Sequence, residues 1–476
     1  DEEAHGRAER ELALGLSFRS SQKERRRMIF SLLLSFCMGD KKKEEGKGCV
    51  FRLGATVRRG AASPLPKPRR MKFGIFVMVL WTQITGKLIT VKILFTRFPL
   101  ESSFGGAEVQ VLSLMEGLLK RGHAVAFLGS CKVLLEECKK RNIPNACLDI
   151  GPPPVTKWNA ISFFWRKKRM QDQLKTAISQ FHDLDAVIML SLSEKLLLTK
   201  IINEQSLITR RSSLVFWLEH DRIGKWLKKN PWLPKLLKLS NLATTIVVSK
   251  LSKKIYLELG WKPEMVKVIP NGIDPNRFNN SKIQNSKFKI QNFHIGCIAR
   301  LTRDKGVDLL IEAVKNIPNV KLTIVGTGLE EKAIKRETRN QPSPSAAADG
   351  LRPAGEKRVT FLSHIKDLGS FYGSLDLLVL PSREHDPFGL VAAEAMMCGV
   401  PVIVTDACGI AGYLENEVDS MVIKAGSSNT INNAINTLIT NEDLRLSIAK
   451  KGYETAMQKF SLDMMQKKYC NILTGN

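Results

Sequence analysis

From Val91 onward the chain alternates short runs that are apolar at every position with longer amphipathic stretches, and it completes that alternation twice. A strand that is apolar on both faces must be covered on both faces. The stretches between such strands are long enough for helices, so the pattern belongs to a parallel sheet wrapped by helices on either side. The first series reads "VKILFTRF", the helix "FGGAEVQVLSLMEGLLKRGH" stopped by Gly122, then "AVAFLG", "DAVIML" (185–190), "SLVFWLEH" (213–220) and "ATTIVVS" (243–249). The second starts near "VKVIPNGID" (266–274). It runs through "HIGCIARL", "VKLTIVGTG", "RVTFLSH", "LDLLVLPS" and "VPVIVTD" (400–406). The expected fold class is α/β, with two Rossmann-like doubly wound parallel-sheet domains facing a central cleft. Their expected limits are 91–260 and 261–455, and a C-terminal helix over 456–476 is expected to pack back on the first domain.

Residues 1–90 lack this pattern. They carry charge clusters (Lys23 to Arg27, Lys41 to Lys47) and a Pro-basic end, "SPLPKPRR", and position 1 is not Met. We expect a disordered or non-native N-terminal extension there. No apolar run reaches the length of a spanning helix. "RRRMIFSLLLSFCMGDKKK" comes closest, but its apolar core is short, and no small-residue cleavage site follows. Two inserts, 280–292 with its repeated K-I-Q-N and the Pro/Ala/Ser/Gly-rich 340–357, are expected as polar surface loops. Nine cysteines with no C-x-x-C pair read as reduced thiols of a cytoplasmic protein.

The formal charge of +27 favours an anionic partner: nucleotide phosphates, an acidic membrane surface or nucleic acid. The sequence has no zinc-finger spacing, RNA-recognition signature or helix-turn-helix pattern, so no nucleic-acid partner is expected. "ISFFWRKKRM" (161–170) and "GKWLKKNPWLPKLLKLS" (224–240) mix aromatic and basic residues. They read equally as membrane-surface segments or as exposed basic helices with a buried apolar side.

In open parallel sheets, ligands bind outside the carboxyl ends of the strands. The longest informative stretch at such an end is "DPFGLVAAEAMMCGVPVIVTD" (386–406). A helix starting near Gly389 aims the amides of Phe388, Gly389 and Leu390 into the cleft, with Asp386 just before it and Glu394 inside it. Asp386 taken alone reads equally as a capping side chain. Glu394, among Ala392, Ala393, Ala395 and Met396, needs a partner. "ARLTRDKG" puts Arg300 and Lys305 around a turn that opens a helix, a phosphate site or a solvated turn. "ESSFGGAE" offers Gly105 and Gly106, "VGTG" offers Gly326, and "FWLEHD" ends a strand with His220. "DLD" (183–185) reads as a strand-entry turn rather than a metal site.

"PNGID", "ARLTRDKG", "VGTG" and above all "PSREHDPFGLVAAEAMMCGVPVI" resemble the retaining glycosyltransferases of family 4, which have the GT-B fold; "FGGAE" and the strand-end "HD" are similar to that family's first domain. The resemblance covers about 91–476 and implies a metal-independent hexosyltransferase that needs no cofactor. It would move sugar from a nucleotide-diphosphate-sugar to a glycan or lipid-linked acceptor. Arg300 and Lys305 would hold the diphosphate, Glu394 the ribose and Asp386 the donor sugar. The amides of Phe388, Gly389 and Leu390 would hold sugar hydroxyls or phosphate. Gly105 and Gly106 would approach the phosphate from the opposite domain, His220 would lie near sugar and acceptor, and Ile365 would frame the base. The family's first acid is usually Glu. Here it is Asp386, behind a slightly long "REH" loop, so Glu384 competes for its role. A nucleotide-sugar epimerase or hydrolase would use the same donor site without an acceptor. The protein is expected in the cytoplasm, either in solution or peripheral at the inner membrane face.

Overall fold

The computed structural model describes residues 90–101, 105–181, 183–209, 214–222, 225–278, 293–339 and 358–474. The expected extension up to residue 89 and the inserts expected at 280–292 and 340–357 lie outside the described residues.

Thirteen strands form two sheets among the described residues. The first comprises β1 (Lys92–Arg97), β2 (Ala124–Gly129), β3 (Asn145–Cys147), β4 (Ala186–Met189), β5 (Leu214–Glu219), β6 (Thr244–Val247) and β7 (Val266–Val268). Its order is β3-β2-β1-β4-β5-β6-β7, and every pairing is parallel. The second comprises β8 (Phe293–Ile298), β9 (Val320–Val325), β10 (Val359–Leu362), β11 (Leu377–Leu380), β12 (Val402–Thr405) and β13 (Met421–Ile423). Its order is β10-β9-β8-β11-β12-β13, again parallel throughout. Both sheets therefore reverse their winding beside their first strand. That reversal is where doubly wound sheets open a crevice for ligands.

Period-two alternation explains the two-sided cores. Leu94 of β1 faces one helical layer with Phe163, Leu174 and Trp217. Its neighbours Ile93 and Phe95 face the other, with Leu114, Met115 and Leu118. Each such side chain, fully buried, stabilises the fold by about 1.5–3 kcal/mol.

Two expectations need correction. The second series was expected to begin with the strand at 266, but β7 pairs with β6 and completes the first sheet. Apolar spacing identifies a strand and not its neighbour, so the division between lobes falls after β7. The C-terminal stretch is broken later than expected: one helix runs Glu442–Phe460 across position 456, and a second, Leu462–Thr474, follows Ser461. The second helix packs on the first lobe. Met465, Tyr469 and Leu473 join the core around Leu114, and Arg121 pairs with Asp463 at 2.7 Å. Among the described residues, no helix is long and apolar enough to cross a membrane, and no disulfide joins the cysteines.

Candidate active site

The two sheets present their carboxyl ends to one cleft of about 850 Å³. On the C-terminal side β8 delivers Ala299 and Arg300 to it, and β11 delivers Pro381 and Ser382. Arg300 is exposed in the cleft wall. After it the chain makes a 3₁₀ turn, Arg303–Lys305, ending at Gly306 with φ +66°. A Cβ on Gly306 would sit 2.1 Å from the Pro381 carbonyl oxygen, so only glycine lets this turn close on the end of β11. The closure places Lys305 Nζ 2.6 Å from Asp386 Oδ2, each side chain 14% exposed. The other Asp386 oxygen accepts from the Phe388 amide at 3.3 Å.

The helix Leu390–Met397 starts at Gly389, with φ +90° and no side-chain cap. Gly389 and Leu390 line the cleft, so the positive end of the helix faces it. Phe388 departs from expectation in part. Its amide is engaged by Asp386, and its ring is buried at 5.4 Å from Phe460.

The N-terminal wall carries a network that the sequence reading missed. Glu108, in the helix Gly106–Lys120, pairs with Arg97 at 2.6 Å, and both are buried. Its second oxygen accepts from the Gly105 amide at 3.2 Å, so that amide is already engaged instead of open to a phosphate. Arg97 also lies 3.9 Å from Asp221. Lys195 donates to Glu219 at 2.7 Å and to the Leu190 carbonyl at 3.1 Å. Behind them Glu194 accepts from the Ser191 amide at 2.6 Å, and burial pushes its pKa up to about 7. Arg97 and Glu219 stand at the carboxyl ends of β1 and β5. The strand-end rule that selected His220 would have found them. Lys195 carried no comparable signal: it follows Glu194 in the first turn of a helix that also holds Lys200.

His220 lines the cleft, and burial lowers its pKa to about 4, outweighing the Asp221 carboxylate. The imidazole is therefore neutral at pH 7. An unfolded chain takes up this proton near pH 6.5 and the folded one only near 4, so this group costs stability as pH falls through that window. We expect the His220 ring resonances in NMR spectra to stay constant from pH 8 to 5.5. A titration midpoint near 6.5 would contradict the buried setting.

Among the described residues several contacts join the lobes, with Tyr413 donating to the Val248 carbonyl at 3.2 Å among them. Arg222 reaches Asp304 at 3.0 Å and also pairs with Glu384. Ser252 Oγ lies 3.1 Å from His385 Nε2. Glu384, the competitor for the sugar contact, is thus held by the opposite lobe, whereas Asp386 lines the cleft. Arg222→Ala removes a partly exposed bridge of about 0.5–1 kcal/mol. It should enlarge the radius of gyration in small-angle X-ray scattering, and an unchanged radius would mean the bridge does not hold the lobes together.

Arg300, Lys305, Asp386, His220, Gly105, Gly106, Phe388, Gly389 and Leu390 all line this cleft. Gly326, Ile365 and Glu394 do not. Gly326, at φ +141°, lets the end of β9 pass the Ala299 carbonyl, which a Cβ would meet at 2.0 Å, and Thr327 faces the cleft instead. Ile365 is half-buried in the loop after β10. The partner that Glu394 needs comes from the protein: Tyr372 donates to it at 2.8 Å, and Arg277 lies 4.0 Å away. Burial raises the Glu394 pKa against both. Among the described residues, no group of three His, Cys, Asp or Glu is arranged to hold a metal ion.

Two family models match the chain side by side. "Glycosyltransferase Family 4" covers residues 104–277, and "Glycosyl transferases group 1" covers 279–455. The chain belongs to glycosyltransferase family 4. Among curated relatives, this family 4 chain is 32% identical over 199 residues to the capsular polysaccharide biosynthesis glycosyltransferase CapM of Staphylococcus aureus, covering 40% of this chain and 49% of that one. It is 27% identical over 221 residues to the lipopolysaccharide core biosynthesis glycosyltransferase LpsE of Rhizobium meliloti, covering 46% and 60%. The matches thus span about half the length of these relatives. The GT-B fold is shared with Anabaena HepE, solved with UDP, at a TM-score of 0.62 and 24% identity over 81% of this chain and 100% of that one.

Proposed function

We propose that the protein transfers a hexosyl group from a nucleotide-diphosphate-sugar to a hydroxyl of a glycan or lipid-linked acceptor, with retention of anomeric configuration and without a metal. The observation that carries this reading is the shared cleft. Arg300, Lys305 and the uncapped helix start at Gly389 line one side of it, and neutral His220 and the Arg97–Glu108 wall line the other.

The difficult event in such a transfer is departure of a charged diphosphate from a sugar that is becoming oxocarbenium-like. Lys305, held by its ion pair, and the helix-end amides are fixed donors at the cleft that stabilise that charge without reorganising, and exposed Arg300 adds its charge from the cleft wall. Lys305 is held by Asp386 and positioned by the Gly306 turn. Asp386 accepts hydrogen bonds from the donor sugar on the same side. His220, neutral, accepts or donates one hydrogen bond beside the reacting hydroxyl and adds no charge that would oppose the oxocarbenium ion. The ribose role of Glu394 requires Arg277 to yield its near oxygen, and the base contact of Ile365 requires the donor to reach beyond the cleft lining. Closure across Arg222 excludes water and limits hydrolysis. We place this chemistry on the cytoplasmic side of the cell, with acceptors of envelope-glycan type, as in the names of the relatives above.

Thermal-shift titration with UDP first, then GDP, ADP and dTDP and their sugars, tests the donor. A cognate nucleotide at a hundredfold its Kd stabilises by about 2.7 kcal/mol. If no nucleotide diphosphate or sugar shifts the melting temperature, the donor site is misassigned. Product analysis with and without acceptor then separates transfer from hydrolysis or epimerisation, and NMR of the product reads the anomeric configuration.

A further inference from the structure

The helix Lys157–Ile178 is apolar on two opposite sides. Ala160, Phe163, Met170 and Leu174 face the core. Trp158, Ile161 and Trp165, spaced i, i+3, i+7, occupy the outward side, and each indole is 77% exposed. A surface helix normally sets polar residues opposite its core stripe. Here that side carries two of the largest apolar side chains.

Cations surround them. The helix holds Lys157, Arg166, Lys167, Lys168, Arg169 and Lys175 against one carboxylate, Asp172. Arg166 turns inward to Ser162 and the Pro152 carbonyl, while Lys157, Lys168 and Arg169 are exposed beside the indoles. A second basic segment is fastened alongside. Trp232 donates to the Ala160 carbonyl at 2.8 Å and stacks on Phe164 at 4.2 Å. This brings up Lys228, Lys229, Lys235 and Lys238, all exposed, in a stretch from 227 to 238 that contains no acid. Lys167 and Lys235 lie 5.6 and 5.7 Å over the Trp232 ring.

We propose that this face lies on an anionic lipid bilayer, with Trp158 and Trp165 in the headgroup–acyl boundary and the surrounding lysines and arginine against lipid phosphates. Indoles favour that boundary because one end is apolar and the other donates a hydrogen bond. A basic rim around an apolar centre complements an anionic interface in both of its layers. A second copy of this chain would bring the same cations against themselves. The docking does not depend on the reading of the cleft, but it bears on it. Pro153 and Val155, just before the helix, line the cleft, and Asn230 of the basic segment donates to the Pro154 carbonyl at 2.6 Å. The docked face therefore adjoins the cleft, where a lipid-linked acceptor would enter.

Co-sedimentation of the full chain with vesicles tests this, comparing phosphatidylglycerol with pure phosphatidylcholine at rising salt. We expect binding to the anionic vesicles that weakens with salt. Trp158→Ser with Trp165→Ser should reduce it at least about tenfold. Lys168→Gln and Arg169→Gln should each reduce it about fivefold. All four residues are exposed, so circular dichroism and the melting temperature should match the parent chain. Absence of binding at low salt, equal binding to neutral vesicles, or equal binding by the double tryptophan variant would each overturn the proposal. So would a dimer in size-exclusion chromatography that dissociates when the two tryptophans are replaced.

Discussion

Replacing Lys305 with alanine is expected to lower kcat/KM by about a hundred- to a thousandfold, the usual loss when one fixed donor to a developing oxyanion is removed. The size of the effect follows from where the side chain is held. Its ammonium sits 2.6 Å from Asp386 and is largely sheltered from water, so its charge is little screened. The Gly306 turn fixes its origin against the end of β11. The variant also strips Asp386 of its charged partner and leaves it one amide at 3.3 Å. Part of any stability loss will therefore come from the abandoned carboxylate. Adding Asp386→Ala to Lys305→Ala separates the two: the melting temperature should recover while turnover stays low. The nucleotide-dependent thermal shift should vanish in both variants. If Lys305→Ala turns over within about threefold of the parent, the phosphate role must pass to Arg300 and the helix end alone.

The second large effect is on stability. Glu108→Ala leaves the Arg97 guanidinium buried without its nearest carboxylate and removes the acceptor of the Gly105 amide. Breaking such a pair costs about 3–5 kcal/mol. In a lobe of this size that should lower the melting temperature by roughly 10 °C. Asp221, at 3.9 Å and mostly exposed, compensates weakly. Replacing both partners with apolar side chains, Arg97→Met with Glu108→Leu, should recover most of the loss, since no charge is then left buried. If the single and double variants melt together, the pair is not what stabilises this wall. The double variant also reports on function: restored stability with lost turnover would mean that the cleft needs the charge of Arg97.

These sites show how far the sequence was informative. The uncapped helix at Gly389, the Gly306 turn and the strand-end position of His220 follow from local chain chemistry, and local chemistry is what residue order records. Asp386 shows the limit. Its adjacency to the Phe388 amide is two residues long and legible as a capping turn. Its ion pair with Lys305 spans 81 residues and is not. Glu394 was correctly expected to need a partner, but that partner is Tyr372 on a neighbouring helix, so the carboxylate is satisfied before any ribose arrives. Gly326 was noted only as a strand-end glycine; it lets the end of β9 pass the Ala299 carbonyl, a neighbour that residue order does not record.

By itself the sequence determined that the chain builds two parallel sheets and the side of each on which chemistry collects; the three-residue strands β3 and β13 left no run to read. Strands apolar on both faces have no stable alternative to being covered on both, and chain direction then sends every carboxyl end the same way. Only the tertiary structure decided that β7 completes the first sheet, that Arg222 bridges the lobes to Asp304 and Glu384, and which carboxylates neutralise which cations. Those choices depend on distances between segments brought together across a cleft, and a period of two or of 3.6 residues carries no information about them.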